Sequence, residues 1–253
     1  MSSLAQRRRA QVLAERAAAD AGEVVAGVAA AMPETGQAAS EYNLLRAVLH
    51  SNLQSLAEIQ SVEARNPKKA EMAKAFDAWV AGVLEAGQRG AAAQDEILVT
   101  MMIWALDCRD IDRALDLAAH AIKHGLALPE RYTRKLGCFV AEDIAEAWLA
   151  DAKDVTREQL LRTQALTEKA DMPDQARAKL LKALGRTTAT AAGAFDPTAD
   201  NAPAGGKAGL LDAAKGYFEA ALKLNKNIGV KKELEAVDRE LKQLAEAAGT
   251  NET

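Results

Sequence analysis

The sequence predicts an all-α protein assembled from helical hairpins behind an N-terminal helical arm. Three observations carry that prediction. Apolar residues recur at spacings of three and four in one segment after another, the period of a helix with one buried stripe. Only 4% of the chain is aromatic, and alanine-rich periodic segments dominate a hydrophobic fraction of 49%, a balance that favours helices. The most strongly patterned runs are bounded by helix-start and helix-stop residues. A length of 253 residues allows one or two domains with a sizeable core.

Residues 1–37 read as a basic, alanine-rich arm. Its larger apolar residues, Leu4, Val12, Leu13, Val24, Val25 and Val28, are too sparse to bury much, which predicts a mobile or marginal helix. Arg7, Arg8, Arg9 and Arg16 stand against Glu15 alone, so the stretch is either a solvated helical face or an arm that touches nucleic-acid phosphates. Glu15, Arg16, Asp20 and Glu23 interrupt any signal-peptide core, and no segment approaches the length of a membrane span. Cys108 and Cys138 are the only cysteines, too few for a disulfide framework. A soluble protein of the cytoplasm is expected.

Residues 38–90 hold a long helix and a second one carrying Trp79. Ser40 is placed to cap the first, with Glu41 supporting its positive end. Tyr42, Leu45, Leu49, Asn52, Leu56 and Ile59 form a short heptad seam, with Leu44, Val48 and Leu53 on an adjoining face. That seam either packs on the rest of the chain or joins subunits. Asn66 and Pro67 open the next helix, with Pro67 in its first turn. Its stripe of Met72, Phe76, Trp79, Val80, Val83 and Leu84 runs to Gly87.

Residues 91–190 form the central core, a helical hairpin at its centre. Ile97, Leu98, Met101, Met102, Trp104 and Ala105 pattern one helix from Asp95. Asp110 caps a second, patterned by Ile111, Ala114, Leu115, Ala118, Ala121 and Ile122 and stopped by Gly125. Small residues at Ala114, Ala118, Ala119 and Ala121, with Pro129 just beyond, give the pair a tetratricopeptide-like character. The connection that follows contains Arg131, Tyr132, Arg134 and Lys135, which is either an ordinary polar linker or a grip on phosphates and bases. Thr156 and Gln159 form a capping-box pattern. A helix from Pro173, with Ala176, Leu180, Leu181 and Leu184, should pair with one carrying Leu210, Leu211, Ala214, Phe218 and Leu222. Between them, 191–209 reads as a flexible Gly/Pro linker. Residues 210–253 then hold C-terminal helices and a short tail, with Leu234, Val237, Leu241 and Leu244 at heptad spacing and four lysines, Lys223, Lys226, Lys231 and Lys232, with no acid among them.

Several chemistries are excluded or weakened by the residues themselves. The loop Gly87-Gln-Arg-Gly90 lacks the spacing of a phosphate loop, so no ATP site and no cofactor is expected. Asp95, Glu96, Asp107, Asp110 and Asp112 concentrate near the hairpin, and a nuclease needs clustered carboxylates for metal ions. Most of them open helices, where acids cap and complement the dipole. Asp107 and Asp110 remain the weak catalytic candidates, Asp107 because it ends a helix, where a carboxylate is unfavourable. His120 and His124 stand four apart on one helix without a third ligand, so no metal site is expected and surface or C-terminal helix residues are the plain alternative. A formal charge of −4 gives no general affinity for polyanions, so any DNA binding requires local basic patches.

Three runs together carry a more specific likeness: W-V-x-G-V-L-E-x-G from Trp79, A-Q-D-E-I-L-V-T-M-M-I-W-x-L-D from Ala93, and D-I-x-x-A-L-x-x-A-x-x-A-I-K-H-G-L from Asp110. In this pattern the chain resembles the small terminase subunit of temperate tailed phages, the gpM-like family, from about residue 38 to about residue 241. The resemblance implies a DNA-packaging role: recognition of double-stranded phage DNA near the packaging start, action with a large ATPase–nuclease subunit, and assembly into a homo-oligomeric ring. The local basic patches, Arg7, Arg8 and Arg9 with Arg131, Arg134 and Lys135, are the DNA contacts compatible with that role. Such subunits are often strongly basic at the C-terminus, whereas this sequence ends Ala-Gly-Thr-Asn-Glu-Thr253. Two other classes stay open: a repeat-type interaction module without DNA contact, and a metal-dependent endonuclease.

Overall fold

The computed structural model describes residues 3–21, 28–90, 92–198 and 205–250. It is all-α among these residues. The helices are α1 (Leu4–Ala21), α2 (Gly36–Ala57), α3 (Val62–Ala73), α4 (Asp77–Arg89), α5 (Glu96–Asp107), α6 (Ile111–Lys123), α7 (Leu136–Ala150), α8 (Arg157–Thr167), α9 (Asp174–Gly193), α10 (Gly206–Leu224) and α11 (Lys231–Thr250). A 3-10 turn, Lys74–Phe76, joins α3 to α4, and one isolated parallel bridge links Ala30 and Ala93. The chain divides into two compact units, residues 1–137 and 138–253.

In the first unit α5 is the central element. Every residue from Ile97 to Leu106 is buried, so the helix is enclosed on all sides rather than along one stripe. It packs against α2, α3, α4 and α6. Its start is held by Asp95, whose carboxylate accepts from the Leu98 N–H at 3.0 Å and from the Trp79 indole N–H of α4 at 2.7 Å. The Tyr42 ring of α2 lies 5.7 Å from that of Trp79, and the Tyr42 hydroxyl accepts the Glu96 N–H at 2.9 Å. Three helices therefore meet at one polar node inside the core. Asp110 caps α6, accepting the Arg113 N–H, and Gly125 closes it in the left-handed region at φ +68°.

Three expectations are corrected here and one alternative is decided. The N-terminal arm is not loose: α1 docks along α4 through Ala10, Gln11, Leu13, Ala14 and Ala17. Hydropathy undervalues it because the contact is made by small residues that let two backbones approach, and Gly82 of α4 faces Ala10 and Gln11 directly. Ser40 is not the cap of α2, which starts four residues earlier at Gly36, and its hydroxyl donates back to the Gly36 carbonyl. Pro67 lies inside α3, whose N-cap is Ser61, so the helix begins a turn before the proline signal. The heptad seam is used within the unit, since Tyr42, Leu49 and Leu56 are buried in the single chain.

In the second unit α9 and α10 form the main helix pair. Phe218 of α10 lies so close against Gly185 of α9 that a Cβ there would meet its ring at 2.5 Å. Leu210, Leu211, Ala214, Phe218, Val230 and Val237 build the core, with Leu234, Leu241 and Leu244 of α11 packed against it. The second candidate seam is thus also used internally. The capping box at Thr156 and Gln159 is present. Helix α9 runs on to Gly193 and α10 begins at Gly206, narrowing the linker expected over 191–209, and its middle, 199–204, lies outside the described residues.

Candidate nucleic-acid interface

The arginines of α1 line its exposed side, because the alanine face is turned to α4. Arg9 pairs with Glu41 of α2 at 2.8 Å yet keeps a side-chain exposure of 61%, so an incoming phosphate can still reach it. Such an exposed pair contributes about 0–1 kcal/mol and is easily exchanged. Arg8 donates to the side chain of Gln11 at 2.6 Å, Gln11 donates to Glu15 at 2.9 Å, and Arg89 of α4 closes the chain on Glu15 at 3.1 Å. Gln11 is itself buried. Glu15, the acid among these arginines, therefore fastens α1 to α4.

Arg131, Arg134 and Lys135 sit in the irregular connection between α6 and α7. The Arg131 guanidinium lies 5.0 Å from the centre of the Tyr132 ring, a cation–π contact. Arg131 also lines an open cleft of about 820 Å³, together with Asn43 and Arg46 of α2, Gln94, and the acids Glu34, Glu96 and Glu130. Both basic groups thus border α2, one through Arg9 and Glu41, the other through this cleft. Nothing in the sequence singles out Arg46. On a heptad it is a plain outward residue, and only the fold brings it to Arg131. Gln94 fixes the cleft wall, since its side chain exchanges two hydrogen bonds with the backbone of Ala127, at 2.9 and 2.8 Å.

The acids near the hairpin do not converge. Asp107 accepts from the Lys69 ammonium of α3 at 2.7 Å, which explains a carboxylate at a helix end. Asp110 is a cap, and Glu96 is held by Arg46 at 2.7 Å and by His50 at 3.3 Å. Among the described residues no three His, Cys, Asp or Glu side chains are grouped to hold a metal ion. Asp95 is fully enclosed, and burial raises its pKa from 3.8 to about 6 against the pull of its hydrogen bonds from Leu98, Trp79 and Ile97.

His120 and His124 stand at the C-terminal end of α6 and are not surface residues. Both are buried, their rings 4.5 Å apart, packed under Gly87 at the end of α4. The Gly87 carbonyl accepts from the Lys123 ammonium at 2.9 Å and lies 3.0 Å from His124 Nε2, which as the donor carries the ring proton. His120 Nε2 is buried with no partner. Burial, then the neighbouring His124 and Lys123, lowers the pKa of His120 from 6.5 to about 4. Burial likewise lowers that of His124, outweighing its hydrogen bond to the Gly87 carbonyl, which favours the charged form.

The pattern of the phage small terminase subunit matches residues 46–175, which span α5, α6 and the basic connection. The chain belongs to that family. It is 36% identical over 210 residues, 81% of this chain and 76% of the relative, to the terminase, endonuclease subunit of Escherichia phage P2. It is also 36% identical over 66 residues, 26% of this chain and 24% of the relative, to the probable terminase, endonuclease subunit of Haemophilus phage HP1 (strain HP1c1). No solved structure matches it significantly. Within this small terminase subunit no described helix is long and apolar enough to cross a membrane.

Proposed function

We propose that this small terminase subunit is the DNA-recognition and regulatory component of a phage terminase, binding double-stranded phage DNA near the packaging start and acting with a large ATPase–nuclease subunit in the host cytoplasm. The observation that carries this is the likeness to a phage P2 terminase subunit over 81% of the chain. The exposed arginines of α1 and the Arg131–Lys135 connection are the contacts we assign. Replacing Arg7, Arg8 and Arg9 together by Ala should lower the slope of log affinity against log salt by about 3, at about 0.9 for each phosphate no longer neutralised. Replacing Arg131, Arg134 and Lys135 should act likewise, with helical content unchanged. Two variants that bind packaging-site DNA like the parent protein, salt slope included, would place the binding surface elsewhere. A repeat-type interaction module without DNA contact predicts no salt-dependent binding at all, so the same titration separates the two readings.

A second reading, an intrinsic metal-dependent endonuclease, is favoured by the names of both relatives. The engagement of Asp107 by Lys69 and of Asp110 by the α6 backbone supports a non-catalytic subunit instead. Purified protein with plasmid and magnesium or manganese should leave the DNA intact. Cleavage that vanishes in Asp107→Ala or Asp110→Ala overturns the proposal. We further assign self-association into a closed homo-oligomeric ring. Because both heptad seams pack within the chain, we assign the contact to Leu44 and Val48, two exposed apolar side chains one turn apart on α2. Mass measurement in solution decides this, and a monomer at tens of micromolar would refute it.

A further inference from the structure

We propose that the turn between α10 and α11, with the facing side of α9, is a second surface for the phosphate backbone of duplex DNA. The inference rests on the reading that this protein binds DNA and adds a site in the second unit. Lys223 lies in the last turn of α10, Lys226 in the turn that follows, and Lys231 and Lys232 begin α11. All four side chains are exposed, and none forms an ion pair within the described residues. From α9, Lys182 reaches the same turn, its ammonium donating to the Ile228 carbonyl at 2.9 Å. Arg186 of α9 engages Glu233, the first acid of α11, through its Nε at 3.1 Å. Lys226, Asn227, Gly229, Lys231, Lys232 and Glu233 line a shallow open depression of about 410 Å³.

The contrast along the same helices is what points to an external anion. Farther from this turn, Lys207 pairs with Glu240 at 2.6 Å and Lys215 with Asp238 at 2.7 Å, so two of the three lysines there are neutralised within the fold, Lys242 being the exception. At the turn they are left alone. Lys231 and Lys232 also occupy the first turn of a helix, where the dipole favours acids, and a position that opposes its own helix calls for a negative partner from outside.

The chemistry fits phosphates rather than an acidic protein. Lysine is depleted from protein interfaces, which need aromatic or apolar anchors. The large hydrophobic side chains left exposed among the described residues, Leu4, Val28, Leu44, Val48 and Val62, all belong to the first unit. Flexible point charges without an apolar anchor suit a backbone of evenly spaced anions.

The test is the quadruple variant Lys223→Gln, Lys226→Gln, Lys231→Gln and Lys232→Gln, titrated on duplex DNA across a salt series beside the parent protein. The salt slope should fall by about 3 to 4 and affinity at low salt by about tenfold or more. The control Lys207→Gln with Lys215→Gln, which removes paired lysines, should change the slope by less than about one. Parent protein that binds no DNA overturns the functional reading and this site with it. If the parent binds and the quadruple variant binds equally, this site alone is overturned. A quadruple variant that keeps DNA but loses a terminase large subunit would show a protein-docking face, and that too refutes the proposal.

Discussion

Replacing Gly82 by alanine is expected to destabilise the first unit by about 1–3 kcal/mol, the range for overpacking a close contact. In an exposed helix the same change stabilises by about 1 kcal/mol, so the sign alone is diagnostic. The reason is that a Cβ at Gly82 would stand 2.4 Å from the Gln11 nitrogen and 2.5 Å from the Ala10 carbonyl carbon. These are backbone atoms, which cannot rotate aside as a side chain can. Helix α1 must move away, giving up the burial of Leu13 and the bond from Arg89 of α4 to Glu15. Denaturant midpoints measure the destabilisation, and faster tryptic cleavage at Arg7, Arg8, Arg9 and Arg16 locates it. Gly90→Ala is the control, because a Cβ there meets nothing within 4 Å. Parent-like stability of Gly82→Ala would mean that α1 does not dock as described.

The second large effect is a pair of opposed pH dependences. Asp95 has its pKa raised from 3.8 to about 6, so the folded protein holds its proton longer than the unfolded chain does. Its contribution is fully present below pH 3.8 and is lost as pH rises to about 6. His120 has its pKa lowered from 6.5 to about 4, so its contribution is present above 6.5 and is lost as pH falls to about 4. At about 1.4 kcal/mol for each tenfold change in proton affinity, each amounts to about 3 kcal/mol. The two slopes nearly cancel between pH 4 and 6 in the parent protein. Asp95→Asn should therefore gain on the parent by about 3 kcal/mol as pH rises through that window. His120→Phe, which also removes the buried Nε2 that lacks a partner, should gain by about as much as pH falls. Denaturation at pH 4, 5, 6 and 7 reads both. Differences from the parent that stay constant with pH would mean that neither group is buried in the folded state as described.

The basic groups illustrate how far a sequence can name a site without placing it. Arg7–Arg9 and Arg131–Lys135 stand out as charge clusters, and so do the lysines from Lys223 to Lys232. Arg46 and Lys182 do not, because each is unremarkable on its own helix and joins a cluster only when another element is folded against it. Asp107 shows the converse. As a helix-ending acid it looks unexplained, and Lys69, thirty-eight residues earlier, supplies the reason.

The helical class, the caps at Asp95, Asp110 and Thr156, the stop at Gly125 and the family are all legible in the chain of residues. These depend on local backbone chemistry and on runs of residue types that need no distant partner. Only the folded arrangement reveals that α5 is enclosed on every side, that the heptad seam of α2 faces inward, that the alanine-rich arm docks and that the histidine pair is buried. Each of these turns on which surface covers another. A small residue such as Gly82 or Ala14 has little hydropathy of its own, and its worth arises only when a second backbone comes close enough to fill the space it leaves.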